Sequence, residues 1–310
     1  MGRDTKQVTV PAELEGVRFD KALAAMTDLS RSHARRLIDG GNAGWVDGTE
    51  PRARNPVVAG EVAWYRVIGD RGPHPEPIAI GVCYEDEHLA VIDKPAGLVT
   101  HPGPGNADGT LVSALLHRWP QVAEVGEHPR WGIIHRLDRE TSGLLVIAKQ
   151  ESTREALSDA LRARTISRQY LTLVHGEFGS VTGTIEAPID RVRSRRVVAA
   201  GGRHAVTHYR RLAAWMLPPL SLLDVALETG RTHQIRVHFE SIERHVVGDR
   251  VYGRPAPPGI DPGRVWLHAR RLRFDHPVTG RLVDLTSPLP TDLASSLDTL
   301  GAPRVGSIEI

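Results

Sequence analysis

One polar loop in the chain has the residue types that a nucleophile or a general base requires. Asp138 lies between two apolar segments, and Arg136 and Arg139 stand close to it in the sequence. Two nearby cations favour the ionised form of a carboxylate, and an ionised aspartate can act as a nucleophile or as a base. The same pattern fits a surface carboxylate in salt bridges, so the loop alone leaves both interpretations open.

Three other kinds of enzyme site fit the spacing less well. An aspartyl-phosphate site usually has Asp-x-Asp-x-Thr, whereas this chain has Glu140 at the second carboxylate position. A glycosidase needs two carboxylates on either side of one bond, and the sequence does not place Asp138 and Glu140 in one cleft. His233 and His238 are five residues apart, whereas two metal ligands on a helix are four apart. We therefore expect no metal site.

The residues before position 70 have an apolar pattern of their own. A helix at about 19–26 is followed by Ser30, which is a suitable N-cap for a second helix over 31–39. The basic residues of this second helix are Arg31, Arg35 and Arg36. A small helix-plus-hairpin unit with such a face suits phosphate binding by an RNA-binding module. A solvated basic surface is the alternative interpretation.

A proline-rich stretch separates this segment from the rest of the chain. Three alternating prolines at 73–77 disfavour helix and remove backbone donors. We therefore predict a small module over 1–70, a linker over 71–79 and a catalytic domain over 80–310. The domain has many strand-like segments without regular strand–helix alternation. This pattern predicts an α+β fold with a mixed, largely antiparallel central sheet and flanking helices, plus a small N-terminal α/β module.

The composition is that of a folded protein. About 40% of the 310 residues are apolar and 25% are charged, which excludes disorder of the whole chain. Arginine supplies most of the 39 basic residues, a bias that suits phosphate binding but also follows from a GC-rich genome. Cys83, the single cysteine, lies in an apolar strand pattern and is predicted to be an inert core thiol. With no spanning segment and no signal peptide, we expect a cytoplasmic protein.

A series of motifs in a fixed order is the most specific feature of the sequence. The run HRLDRETSGLLV at 135–146 resembles the signature of the RluA/RluD-like pseudouridine synthases, the large-subunit ribosomal RNA type. Segments at 94–102, 168–176, 229–238 and 248–253 resemble further motifs of that family. The N-terminal segment resembles the small RNA-binding module of ribosomal small-subunit protein four, which often precedes this catalytic domain.

The resemblance implies a reaction and a set of site residues. Uracil is detached from ribose, turned and rejoined through carbon, and this rearrangement needs no cofactor. Asp138 would be the catalytic carboxylate, Arg231 would pair with it, and Tyr170 would stack on the flipped base. The implied substrate-binding residues are Arg136, which would fill the gap left by that base, and the pocket walls Leu137 and Ile235.

The resemblance also implies a partner, 23S ribosomal RNA within an assembling large subunit. The protein would act there without a membrane or a small-molecule cofactor, and we expect a monomer by default. Two alternatives stay open: the same chemistry on transfer RNA, and a non-catalytic RNA-binding or ribosome-assembly protein. The second alternative would not need Asp138, Tyr170 and Arg231 together. The N-terminal module favours ribosomal RNA by analogy with family members that carry it.

Overall fold

The computed structural model describes residues 5–27, 29, 31–66, 73–103, 106, 108–126 and 130–308, without the side chains of Ser32 and Arg36. Contacts divide the chain into two compact units, Met1–Gly72 and Pro73–Ile310. The predicted N-cap Ser30 lies outside the described residues. None of the described helices combines the length and the apolar character that crossing a membrane requires.

The described part of the first unit contains two α-helices, a short 3-10 helix (Ala12–Leu14) and a three-stranded antiparallel sheet with the order β1-β3-β2. Its elements are β1 (Thr5–Thr9), α1 (Phe19–Ala25), α2 (Arg31–Asp39), β2 (Ala43–Trp45) and β3 (Val62–Arg66). Phe19 stacks on Trp45 with ring centroids 4.3 Å apart. Leu37 and Ile38 bury the apolar face of α2 in the same core. The α2 helix has the bounds that the sequence predicted.

The second unit is built on a ten-stranded sheet with the order β15-β11-β12-β7-β13-β6-β5-β4, on which β14 pairs with β13 and β8 with β11. Its strands, together with the separate β9–β10 hairpin, are β4 (Gly81–Glu85), β5 (Leu89–Lys94), β6 (Ser142–Ala148), β7 (Ser167–His175), β8 (Thr182–Glu186), β9 (Ile189–Val192), β10 (Arg195–Val198), β11 (Val206–Met216), β12 (Pro219–Leu227), β13 (Leu267–Asp275), β14 (Leu282–Thr286) and β15 (Val305–Gly306). Among the described strands, only β6 and β13 pair in parallel. The predicted α+β fold with a mixed, largely antiparallel sheet is confirmed.

Strand β6 is buried on both faces. Its packing fixes the position of the strand and therefore of the end of the loop that precedes it. The helices of the second unit are α3 (Leu111–Arg118), α4 (Glu151–Arg162), α5 (Gln234–Ser241) and α6 (Thr291–Leu300). Side chains alternate along a strand, so Leu145 and Ile147 join one apolar cluster with α3. Leu144 and Val146 join a second cluster with Leu157 of α4.

Gly143 lets β6 lie directly against β13. Its φ is +115°, and a Cβ atom at this position would lie 2.3 Å from the carbonyl oxygen of Ala269. Any other residue would push the two strands apart. The parallel pairing therefore defines where β6 begins, and Asp138 stands in the loop just before that point.

The prediction that Cys83 is a core thiol is wrong. Strand β4 is at the edge of the sheet, and Cys83 is exposed. Val82 and Tyr84, its neighbours on β4, are half-buried. An apolar run of this length does not distinguish a strand with one solvated face from a strand that is buried on both faces.

Candidate active site

A cavity of about 580 Å³ lies beside the loop that precedes β6. The loop, strand β7 and the start of α5 all contribute side chains to its wall. The predicted catalytic and substrate-binding residues are all part of this lining: Arg136, Leu137, Asp138, Tyr170, Arg231 and Ile235. The fold thus brings three separate sequence motifs to one concave site.

The buried side chain of Lys94 holds the loop that carries Asp138. Its Nζ donates hydrogen bonds to the carbonyl oxygens of Pro95 at 2.8 Å, Leu98 at 3.0 Å and Arg139 at 3.3 Å. Burial lowers the pKa of Lys94 to about 7, although the negative charge of Asp138 acts in the opposite direction. The lysine therefore ties the residue after Asp138 to the end of β5.

Two further hydrogen bonds fix the backbone on either side of Asp138. The Oγ1 of Thr100 donates to the carbonyl oxygen of Leu137 at 2.7 Å. The backbone N–H of Gly97 donates to the carbonyl oxygen of Arg139 at 2.8 Å. A carboxylate on a backbone constrained in this way is preorganised for chemistry, because its position does not have to be found during the reaction.

Arg236, on α5, is the cation that pairs with Asp138. Its Nη1 donates to Asp138 Oδ2 at 3.1 Å, while its Nε and Nη2 donate to the two oxygens of Asp249 at 2.6 and 2.9 Å. Burial alone lowers the pKa of Arg236, but the hydrogen bonds and charges of Asp249 and Asp138 outweigh burial and raise it. Asp138 is thus held by a permanent cation while 15% of its side chain stays exposed.

The predicted pairing of Arg231 with Asp138 is wrong. The Nε of Arg231 donates instead to the carbonyl oxygen of His204 at 3.0 Å, and burial and the neighbouring Arg203 lower the pKa of its guanidinium. Between the two arginines of the motif, His233 has a left-handed backbone with φ 58° and ψ 21°. This turn changes the chain direction, so only the arginine inside the helix reaches Asp138.

Sequence reasoning missed the roles of Asp249 and His233. Besides holding Arg236, the fully buried Asp249 carboxylate accepts the backbone N–H groups of Val251 at 2.9 Å and Tyr252 at 3.0 Å. The Nε2 of His233 lies 3.8 Å from Asp138 Oδ1. Both residues belong to motifs that the sequence shows. Asp249 reaches Arg236 because the chain folds back after α5, whereas His233 reaches Asp138 from the turn that begins this helix.

Tyr170, on β7, contributes an aromatic ring to the cavity. Its side chain is buried. Burial and the charge of Asp138 raise the pKa of the hydroxyl, and Arg168 opposes them only in part. The phenol is therefore neutral at physiological pH. Leu137 and Ile235 are also buried and give the cavity apolar walls.

Arginines surround the cavity. Besides the exposed Arg136, its lining includes Arg130, Arg162, Arg164, Arg168, Arg196 and Arg203. The composition indicated an excess of arginine but not its position. Guanidinium groups bind phosphate with two parallel hydrogen bonds, so this rim matches the charge of a nucleic-acid backbone.

In the first unit, the basic residues of α2 are partly engaged in ion pairs. The Nη2 of Arg31 lies 3.3 Å from Asp20 Oδ2, and the Nε of Arg35 lies 3.2 Å from Asp39 Oδ2. About half of each arginine side chain is exposed, 51% and 46% respectively. The side chain of Arg36 lies outside the described residues. Arg31 and Arg35 are one helical turn apart and share one face.

Comparisons with known proteins agree with this geometry. Residues 88–241 match the family model described as RNA pseudouridylate synthase. "Ribosomal large subunit pseudouridine synthase D" of Xanthomonas campestris pv. campestris is 42% identical over 95% of this chain and 92% of its own. An "Uncharacterized RNA pseudouridine synthase" of Chloroflexus aurantiacus is 46% identical over 94% of this chain and 92% of its own.

A solved structure has the same fold. "Human RNA Pseudouridylate Synthase Domain Containing 1" matches 75% of this chain and 94% of its own, with a TM-score of 0.58 and 25% sequence identity. The family match spans Asp138, Tyr170 and Arg236, which the cavity brings together. The chain therefore belongs to the RNA pseudouridylate synthase family.

Proposed function

We propose that this RNA pseudouridine synthase isomerises uridine in large-subunit ribosomal RNA, with Asp138 as the catalytic carboxylate. The observation that carries the proposal is the 3.1 Å pair of Asp138 with Arg236 inside a cavity that also contains Tyr170. Such a site supplies an ionised oxygen at a fixed position beside an aromatic surface. The printed name of the Xanthomonas relative supports large-subunit ribosomal RNA as the substrate.

Asp138 acts at the glycosidic bond. Attack on the sugar, attack on the base and removal of a sugar proton each use the same ionised oxygen. Arg236 serves all three routes because its positive charge pairs with the carboxylate and its hydrogen bond aims it, and Asp249 holds Arg236 from its other side. The atoms of the nucleoside are rearranged without oxidation or transfer, so the reaction as proposed needs no cofactor.

The target base has to leave its stack to reach Asp138. Unstacking costs a few kcal/mol, and stacking on an aromatic ring contributes about 1–3 kcal/mol in return. Tyr170 supplies that ring, while Leu137 and Ile235 exclude water around the base. The exposed Arg136 is free to enter the gap that the flipped base leaves in the RNA.

The RNA backbone is bound by the arginines around the cavity. Arg231 belongs to this set, because its guanidinium lies near Arg203 and lines the cavity without pairing with Asp138. Residues 1–70 form a separate RNA-binding module like that of ribosomal small-subunit protein four, with Arg31, Arg35 and Arg36 as phosphate ligands. Residues 71–79 link this module to the catalytic domain, 80–310.

The cellular setting follows from the substrate. An enzyme of ribosomal RNA works where large subunits are assembled, which in a bacterium is the cytoplasm. The cavity is built wholly within residues of the second unit, so a monomer supplies the complete site. We propose a monomer that binds the assembling large subunit.

Pseudouridine mapping in cells tests the proposed function. Carbodiimide-dependent reverse-transcription stops are compared in cells with the gene, without it, and with an Asp138→Asn copy. We expect the same stops to disappear from large-subunit RNA in both mutant strains, because each lacks the catalytic carboxylate. Protein levels of the variant are matched to the wild type by immunoblot.

The alternatives predict other maps. Stops that disappear only from transfer RNA would keep the chemistry and overturn the ribosomal substrate. Stops that depend on the gene but survive in the Asp138→Asn strain would overturn the catalytic assignment. An unchanged map in both strains would favour a non-catalytic ribosome-assembly protein.

A further inference from the structure

Both oxygens of the Asp138 carboxylate face a nitrogen group of the protein. Oδ2 accepts a hydrogen bond from Arg236 at 3.1 Å, whereas Oδ1 lies 3.8 Å from the Nε2 of His233. The other ring nitrogen of His233, Nδ1, lies 2.9 Å from the hydroxyl of Tyr252. Arg236 has a role in the proposed mechanism, whereas His233 and Tyr252 have none.

The hydroxyl of Tyr252 can set the tautomer of the histidine ring by donating to it. It accepts the backbone N–H of Arg196 at 3.1 Å, so its own single proton is available to His233 Nδ1. A neutral imidazole whose Nδ1 accepts a hydrogen bond has its proton on Nε2. Burial lowers the pKa of His233 more than the charge of Asp138 raises it, which favours the neutral ring. With the Tyr252 hydroxyl as the donor, the Nε2 proton faces Asp138.

The geometry points to His233 and Tyr252 as positioning residues that orient the Oδ1 oxygen of Asp138 and connect it to the β9–β10 hairpin. This inference rests on the proposed function, since it assigns a purpose to the orientation of the catalytic carboxylate. The separation of 3.8 Å is longer than a hydrogen bond. Catalytic hydrogen bonds are often long in the free enzyme and shorten in the transition-state complex, so the contact tightens as the reaction proceeds.

Tyr252 is well placed to connect the hairpin with the site. Its buried ring has the guanidinium of Arg195 over it at 4.9 Å and that of Arg236 at 5.0 Å from the centroid. Its backbone N–H binds Asp249, which in turn holds Arg236. The hairpin itself exposes Arg191, Arg193 and Arg195. A network of hydrogen bonds thus connects the arginines that would bind RNA with the carboxylate that acts on the nucleoside.

Three substitutions test the individual contacts of this network. Tyr252→Phe removes only the hydroxyl and keeps the ring beneath both arginines. His233→Asn keeps a polar atom near Tyr252 but loses the one facing Asp138, and asparagine tolerates the left-handed backbone of this position. His233→Gln places its amide near the former Nε2. The matched control is Tyr84→Phe, which removes a hydroxyl that donates to Asp86 at 2.7 Å on the edge strand β4.

The first readout is the ¹⁵N spectrum of the His233 ring in the RNA-free protein. We expect a pyrrole-type Nε2 and a pyridine-type Nδ1 in the wild type. Asp138 raises the pKa of His233, as does Asp249, whereas Arg236 and Arg136 lower it, so Asp138→Asn should lower this pKa further. Tyr252→Phe should change the tautomer signal and Tyr84→Phe should not. A proton on Nδ1 in the wild type would overturn the inference.

The second readout is single-turnover pseudouridine formation on large-subunit RNA. Tyr252→Phe and His233→Asn should slow the chemical step about tenfold, which corresponds to the loss of one hydrogen bond to a charged group. The Kd for RNA should stay unchanged, and His233→Gln should recover part of the rate. Full rates in both variants, or a change in Kd alone, would overturn the positioning role.

The two readouts separate failure of this inference from failure of the proposed function. A wild-type enzyme that forms no pseudouridine in large-subunit RNA contradicts the proposed substrate. The ring spectrum still decides whether Tyr252 directs the His233 proton to Asp138. A wild-type spectrum as expected, combined with full activity of Tyr252→Phe, overturns the positioning role while the function stands.

Discussion

Arg236 contributes both to the stability of the protein and to the arrangement of the site. A single substitution of Arg236 changes both contributions at once. Arg236→Met removes the cation next to Asp138 and also leaves Asp249 without its ion-pair partner. The side chains of Asp249 and Arg236 are 0% and 8% exposed, so Asp249 would become an unpaired buried charge. Breaking a buried ion pair from one side costs about 3–5 kcal/mol. We therefore expect Arg236→Met to lower the free energy of unfolding by about 4 kcal/mol.

A second substitution should recover the stability of the protein but not the rate of pseudouridine formation. Asp249→Asn removes the buried charge, and the amide oxygen can still accept the N–H groups of Val251 and Tyr252. In the double variant Arg236→Met/Asp249→Asn, we expect most of the lost free energy of unfolding to return. The rate of pseudouridine formation should stay about a hundredfold below wild type, because Asp138 still lacks its preorganised cation.

Urea unfolding and single-turnover kinetics measure the two effects on the same samples. Arg271→Met is the matched control, because Arg271 pairs with Asp284 at 2.6 Å with 42% and 28% of the two side chains exposed. Exposed pairs contribute at most about 1 kcal/mol. A double variant that regains both stability and the wild-type rate would refute the reasoning, since Arg236 would then act only in folding.

Three further predictions concern the surrounding groups. The pKa of Lys94 is about 7 in the folded protein, below its ordinary value of 10.5, so the unfolded chain holds one more proton between these values. The free energy of unfolding should therefore rise with pH in this window by about 1.4 kcal/mol per pH unit. Lys94→Met should remove that rise when urea unfolding is measured at several pH values. An identical rise in the variant would contradict the lowered pKa of Lys94. Tyr170→Ala should weaken capture of the flipped base by about 1–3 kcal/mol, whereas Tyr170→Phe should keep most of it; equal losses in single-turnover saturation curves would argue against stacking. Replacing Arg31, Arg35 and Arg36 together by Gln should reduce the slope of log Kd against log salt by up to about 2–3, and an unchanged slope would remove α2 from the RNA contact.

Much of the framework could be predicted from local pattern. The α2 helix has the predicted bounds because its apolar residues recur at helical spacing and bury one face. The mixed sheet was predictable from strand-like segments without helix alternation. The motif at 135–146 indicated Asp138, which lies in the lining of the cavity, because its order of residues is far more specific than any single carboxylate between two arginines.

The predictions that were wrong and the residues that were missed depend on how the chain folds in three dimensions. Arg231 and Arg236 lie in one motif, and only the left-handed turn at His233 decides which of them reaches Asp138. Asp249 becomes a site residue because the chain after α5 returns to the helix it has just left. Cys83 is exposed because it lies on the solvated face of β4, on which Gly81 and Glu85 are also exposed. None of these relations is encoded by spacing along the chain.

Release of tritium from large-subunit RNA labelled at uracil C5 tests the central claim most directly. The hydrogen on C5 is lost when that carbon becomes the one joined to ribose. We expect the purified wild-type protein to release tritium and Asp138→Asn to release none, while both bind the RNA with the same Kd. Release by Asp138→Asn at the wild-type rate would contradict the assignment of Asp138 as the catalytic carboxylate.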